Sequence, residues 1–330
     1  MDNRKLIRFG NSSHIVTLPN SWVKKNKLKK GDLIYFEENG NNELVLSSEL
    51  KKEEYKKNEI SINISNKPLP TIEREIMNSY INNYDVININ GDLKKYRKEI
   101  GNIINNLLVL EIMEETPNKI VVKDFLNLNE VSINDNIRRI DLTVRSMMIY
   151  LKEVLENNVD NYENIAYLDL RVNKFRFLVY RVINRFLKNT YLESKNNFSS
   201  YIDLFNYRFV INNLEDIADE CKRISRFLSK TKIKKNDKNE IKKIYLEIEK
   251  GYLDAMKAHY TNNKQLAHDV ASRKDSIIEE CRNLFKICGD KNVGVILEKL
   301  KGMESFIRNI ARIVIDAEYN ENGKNNLSEK

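Results

Sequence analysis

Two pairs of oxygen-bearing side chains stand four residues apart near the middle of this chain. Asp169 and Asn173 lie in YLDLRVNKFRF, and Glu215 and Asp219 lie in NLEDIADECKRI. On a helix that spacing turns both members of a pair to one face. If the two helices are neighbours, the four side chains can converge on a hard or borderline cation. Carboxylates at this spacing also decorate ordinary solvated helices, so the pattern alone leaves both readings open. Cys221, Cys281 and Cys288 form no Cys-x-x-Cys pair. Cys281 and Cys288 would share a helical face, as buried small apolar side chains do. His259 and His268 fall on helical stretches and read as polar-surface or satisfied core residues.

The elements that must position these residues are legible as apolar stripes. Ile137, Ile140, Val144, Met147, Leu151 and Val154 recur in steps of three and four, behind a capping signal at Ser132 and Asp135. The pattern repeats from Ile165 through Val172 and Val179 to Phe186, and again from Val210 through Ile217 and Cys221 to Leu228. Three such helices with short links make a bundle over 132–230. A basic, polar interruption, KTKIKKNDKNE, precedes a second set over 237–320, with Ile277, Cys281, Leu284 and Cys288 on one helix. Its last helix carries Leu300, Met303, Ile307, Ile310, Val314 and Ala317, and a polar tail at 321–330 is expected to fray.

Ahead of the bundles the pattern changes. Residues 58–130 alternate strand-like and helix-like runs, EISINI, TIEREIMNSYINN, YDVININ and DLKKYRKEIGNIINNLL, then a hairpin turning at Thr116-Pro117-Asn118. This reads as a small α/β subdomain, without a phosphate-cradling glycine loop or a nucleophile motif. A charged linker, LKKEEYKKN, separates it from residues 1–50. There RKLIRF and HIVTLP read as strands around a Gly10-Asn11 turn, and Pro19 opens a short helix capped by Asn20 or Ser21. LIYFEE and ELVLS form a hairpin around NGNN, and Trp22 reads as a core anchor. So small a unit buries too little apolar surface to stand alone, so it is expected to dimerise.

Bulk composition agrees with a mainly α fold carrying a small β-rich N-terminal domain. Only 10 Gly and 4 Pro occur in 330 residues, and 32% of residues are charged. The net charge of +8 permits contact with nucleic acid or anionic lipid without demanding it. No apolar run reaches the roughly 20 residues needed to span a bilayer. The opening MDNRKLIRFG lacks a signal-peptide core, so the expectation is a cytoplasmic protein with no membrane insertion.

IRFGNSSHIVTLPNSWVKK…LKKGDLIYFE…NELVLS resembles the swapped-hairpin DNA-binding domain of the SpoVT/AbrB and MazE families. The resemblance implies an intertwined homodimer that grips DNA through its first strand and turn. By position, Arg4, Lys5, Arg8 and Asn11 would make those contacts, with Lys24 on the short helix. Lysine and arginine neutralise phosphates, and an asparagine presents a donor and an acceptor to a base edge. Where some relatives carry an arginine in the second strand, this chain has His14 and Thr17.

LDLRVNKFRFLVYRVI and NNLEDIADECKRI resemble the signature helices of the PhoU family, built from two tandem three-helix repeats. The order of parts resembles that family's archaeal branch. The resemblance implies an iron or zinc cluster on the first repeat, held by Asp169, Asn173, Glu215 and Asp219. It also implies a role in phosphate uptake, through the ATPase of the phosphate ABC transporter or a signalling partner. Asn173 stands where the archaeal form has an acid. In the second repeat Glu304 keeps the glutamate, but Arg308 replaces the aspartate and Lys274 an expected acid near Asp275 and Glu279. Like-charge repulsion there opposes metal. Three functions follow: a DNA-binding regulator of phosphate uptake, an adaptor acting by protein contacts alone, and a metal-dependent hydrolase. The last lacks an assignable open metal position and base, so no enzyme is expected.

Overall fold

The computed structural model describes residues 3–10, 12–38, 44–49, 58–157, 159–188 and 201–325. The chain divides into two compact units, Met1–Lys56 and Lys57–Lys330. Its fold class is the expected one, mainly α with a small β-rich N-terminal domain.

In the first unit β1 (Ile7–Phe9) and β2 (Ser13–Ile15) pair antiparallel, with Ile7 opposite Ile15 and Arg8 opposite His14. Gly10 begins the turn at φ +69, a left-handed conformation that glycine enters without steric cost. The short helix α1 (Asn20–Lys25) starts earlier than a cap at Asn20 or Ser21 would place it. Pro19 stands at the N-cap, and no side chain caps the helix. β3 (Tyr35–Glu38) and β4 (Leu44–Ser47) form a second antiparallel pair, with Phe36 opposite Leu46. Asn11, the turn expected at 39–42 and the linker at 50–57 lie outside the described residues. Trp22 is only half-buried, and no described residue of this unit is buried. Ile7, Phe9, Leu33, Phe36 and Leu44 are 52–71% exposed. The apolar residues of a core are present, but the described residues of the unit do not enclose them.

In the second unit the α/β segment forms a four-stranded sheet in the order β5-β6-β8-β7. β5 (Glu59–Asn63) and β6 (Val86–Asn90) run parallel, joined through α2 (Leu69–Ile81). α3 (Arg97–Asn105) leads to the hairpin of β7 (Leu110–Thr116) and β8 (Lys119–Asp124), which turns at Pro117-Asn118 as expected. Ile62, Ile72, Ile76, Ile87, Ile89, Ile100, Ile120 and Val122 fill the space between sheet and helices. Gly91, at φ +134, is required where β6 ends: a Cβ there would meet Ile64 Cγ1 at 2.8 Å.

The helices α4 (Ile133–Asn157), α5 (Tyr162–Lys188) and α6 (Tyr201–Leu228) pack on one another. So do α7 (Lys235–Thr261), α8 (Lys264–Cys288) and α9 (Lys291–Asn325). Ser132 caps α4, its Oγ accepting from Asp135 N at 3.2 Å. Helix α7 begins inside the predicted basic interruption, Lys234 O accepting from Lys238 N at 3.0 Å. Helix α9 continues to Asn325, into the segment expected to fray, and 326–330 lie outside the described residues. Among the described residues no helix is long and apolar enough to cross a membrane.

The two bundles are not separate bodies. α6 packs on α9 and α4 on α7, and one continuous apolar core runs through all six helices. A buried polar knot joins them as well. Asp141 on α4 accepts from Tyr252 Oη at 2.7 Å, Tyr260 Oη at 3.0 Å and Arg145 Nε at 2.9 Å. Tyr252→Phe removes one donor from a buried carboxylate and is expected to cost about 1–3 kcal/mol. Urea titration checks this. An unchanged midpoint would mean that Arg145 and Tyr260 satisfy Asp141 unaided.

Candidate functional site: carboxylates met by internal cations

Three of the four residues singled out for a cation, the carboxylates Asp169, Glu215 and Asp219, come together where α5 meets α6. The helices run antiparallel, because their contacts step in opposite directions along the two segments. Asp169 meets Lys222, Arg176 meets Glu215, and Tyr180 donates a hydrogen bond to Asn212. Apolar positions such as Val172, Val179, Leu214 and Ile217 are fully buried and fix the facing of both helices.

Each carboxylate already holds a cation. Asp169, 2% exposed, accepts from Lys222 Nζ through Oδ2 at 2.5 Å. The same ammonium reaches Asp219 Oδ1 at 3.4 Å, and Arg223 Nη2 holds Asp219 Oδ2 at 2.7 Å. Glu215 Oε2 lies 3.1 Å from Arg176 Nη1. Asn173 turns away from the group, its Nδ2 donating to the Asp169 carbonyl of its own helix at 3.2 Å. Asp169 Oδ1 is buried without a hydrogen-bond partner among the described residues.

The electrostatics follow from burial and crowding. Burial raises Asp169 above the usual carboxylate range; Lys222 opposes that rise and neighbouring Asp219 adds to it. Burial likewise raises Glu215, against Arg176 and with help from Asp219, Asp216 and Asp169. Burial works against the charge of Lys222, but its contacts to Asp169 and Asp219 outweigh this and raise it overall. The ammonium is held in its charged form between two acids.

This donor set does not fit an iron or zinc cluster. A cluster needs several free anionic ligands facing one point. Here Lys222, Arg176 and Arg223 occupy Asp169 Oδ2, Glu215 Oε2 and both oxygens of Asp219, and Asn173 brings no charge. Among the described residues no group of three or more His, Cys, Asp and Glu is arranged to hold a metal ion. Sequence spacing brought the acids together correctly but missed the cations. Lys222 follows Asp219 by three positions and so shares its face, whereas Arg176 meets Glu215 only across the two helices.

In the second repeat Glu304 on α9 is 2% exposed, and its Oε1 lacks a hydrogen-bond partner among the described residues. Burial pushes its carboxyl up to about 7, with Arg273 and Lys274 opposing. Gly251 on α7 packs beside it; a Cβ there would stand 3.8 Å from Glu304 Oε2, an ordinary contact. Arg273 is itself paired with Asp254 at 2.8 Å. Cys221 and Cys281 are buried in the core as small apolar groups, whereas Cys288 is half-buried. Burial lowers the pKa of His259, and His268 is exposed.

Of the residues expected to meet DNA, Arg4 and Lys5 lie just before β1, Arg8 on β1 and Lys24 in the last turn of α1, all exposed. Strand alternation puts Arg8 and its partner His14 on one face of the hairpin and Ile7, Phe9 and Ile15 on the other. One face is therefore cationic and the other apolar, and both are open in the single chain.

Residues 7–57 match the family model of the antidote-toxin recognition protein MazE, a bacterial antitoxin, and residues 137–228 match that of the PhoU domain. Residues 7–57 are thus MazE-like and residues 137–228 PhoU-like. The PhoU match spans α4 to α6, and so takes in the whole carboxylate and cation group. Among solved structures the chain is similar to the crystal structure of PhoU from Pseudomonas aeruginosa. That similarity has a TM-score of 0.49 at 16% identity, over 56% of this chain and 93% of that one. No curated protein matches the chain significantly.

Proposed function

We propose that this protein regulates phosphate uptake as a homodimer. Its MazE-like head binds DNA, and its PhoU-bearing body meets the phosphate ABC transporter's ATPase or a signalling partner. The observation that carries the DNA half is the two-faced head. Ile7, Phe9, Ile15, Phe36 and Leu44 stand exposed on a unit with no buried residue among those described, which favours strand exchange with a second copy. Covering that apolar surface would keep Arg4, Lys5, Arg8 and Lys24 of both copies at the surface, where they can neutralise phosphates. The PhoU-like segment over 137–228 supports the phosphate half.

A mobility-shift titration of the full chain over a salt series tests the reading. Binding is expected to weaken steeply with salt. Arg8→Ala removes one cation from each subunit, so it should lower the slope of log affinity against log salt by roughly 1.8. Absence of binding at low salt would leave the adaptor function, with the head serving dimerisation alone.

A further inference from the structure

We propose that the ammonium of Lys222 stands in for a metal ion in the first repeat. The PhoU domain of this chain is then complete without a metal, and removing that ammonium opens a site for a divalent cation. The inference rests on the packing between α5 and α6 rather than on the partner of the body, so it stands or falls apart from the phosphate reading.

Three features carry it. Lys222 bridges Asp169 on the facing helix at 2.5 Å and Asp219 on its own at 3.4 Å, a position between two carboxylates where a cation ligated by both would lie. Asp169 is 2% exposed, and its Oδ1 has no hydrogen-bond partner among the described residues. The pair thus retains an anionic lone pair that the ammonium does not use. The surrounding acids are neutralised separately, Glu215 by Arg176 at 3.1 Å and Asp219 by Arg223 at 2.7 Å. The charge an ion would bring is thus already supplied by side chains, and a divalent ion entering would meet Lys222 at close range.

A lysine on a four-carbon stem can fill such a place only from the right helical position. Lys222 sits three residues after Asp219 and seven after Glu215, on the face that meets α5. The second repeat shows a related arrangement, with Arg273 and Lys274 of α8 set against the buried carboxyl of Glu304.

The test uses the full-length protein and the metals alone. Elemental analysis of the purified wild type should find neither iron nor zinc in stoichiometric amount. Calorimetric titration with zinc or manganese should give only the weak binding of scattered surface groups. Lys222→Ala and Lys222→Met should each acquire one stronger site, tighter than wild type by on the order of 10–100-fold. Lys222→Arg keeps the cation and should behave as wild type. Circular dichroism establishes that the variants are folded. Stoichiometric metal in the wild type, released only by chelator, would overturn the proposal whether or not the variants fold. So would folded Lys222→Ala and Lys222→Met proteins that bind no better than wild type.

Discussion

Arg181→Ala is expected to destabilise the second unit by about 3–5 kcal/mol, the cost of leaving one partner of a buried ion pair alone. The guanidinium sits on α5, 1% exposed, and donates through Nη2 to Asp124 at the end of β8. Its Nε lies 3.3 Å from Asn83 Oδ1, and its plane lies 4.3 Å from the ring of Tyr80. Asn83 returns a bond from Nδ2 to the Arg181 carbonyl at 3.1 Å. Burial works against the charge of Arg181, yet Asp124 holds the group protonated. Deleting the side chain leaves the largely buried carboxylate of Asp124 without its cation and removes one of the ties between the α/β segment and the bundle, while Asn184 Nδ2 still donates to the Ile81 carbonyl. The double variant Arg181→Met with Asp124→Leu should recover most of the loss, because it removes both charges and keeps apolar volume. Chemical denaturation of the three proteins decides it. A single variant within about 0.5 kcal/mol of wild type would mean that the pair contributes nothing net.

Glu304→Gln is expected to act in the opposite direction and to stabilise the fold at alkaline pH. Burial pushes this carboxyl from its ordinary 4.5 up to about 7 in the fold. Between those values the folded protein keeps a proton that the unfolded chain has lost. The stability tied to that proton is therefore fully present below 4.5 and is lost as pH rises through about 7. A neutral amide of the same shape avoids the loss, so the variant should gain roughly 3 kcal/mol over wild type at pH about 8.5 and little at about 4.5. Melting curves of both proteins across this range test it. A difference that does not change with pH would place the carboxylate in contact with water or with a cation at every pH.

The helical body was legible because its signals are local. Stripes such as Ile137, Ile140, Val144 and Met147 repeat within one helix, and the Ser132 cap lies three residues from its partner. Lys234 to Asp237 read as loop because the stretch is basic and polar, yet the backbone there begins α7, with Asp237 favourably placed in the first turn. What sequence did not yield are pairings across long stretches of chain. Arg181 lies in the apolar run LVYRVI, but its partner Asp124 is 57 residues away and marked by nothing nearby. Lys222 has the spacing of an ordinary surface charge, and only the approach of α5 to α6 sets it against Asp169. The head shows a third kind of limit. Its strands are readable, but nothing in the strand pattern says what would cover Phe9 and Phe36, which stay exposed among the described residues.

Helix α9, 35 residues and so about 52 Å long, lies against α6 from one bundle and against α7 and α8 from the other. A shaft that serves as a wall of both bundles leaves no seam along which they could slide apart. A partner pressing on α8 would be felt at α6 as movement of the whole block, much as a beam loaded at one end lifts at the other.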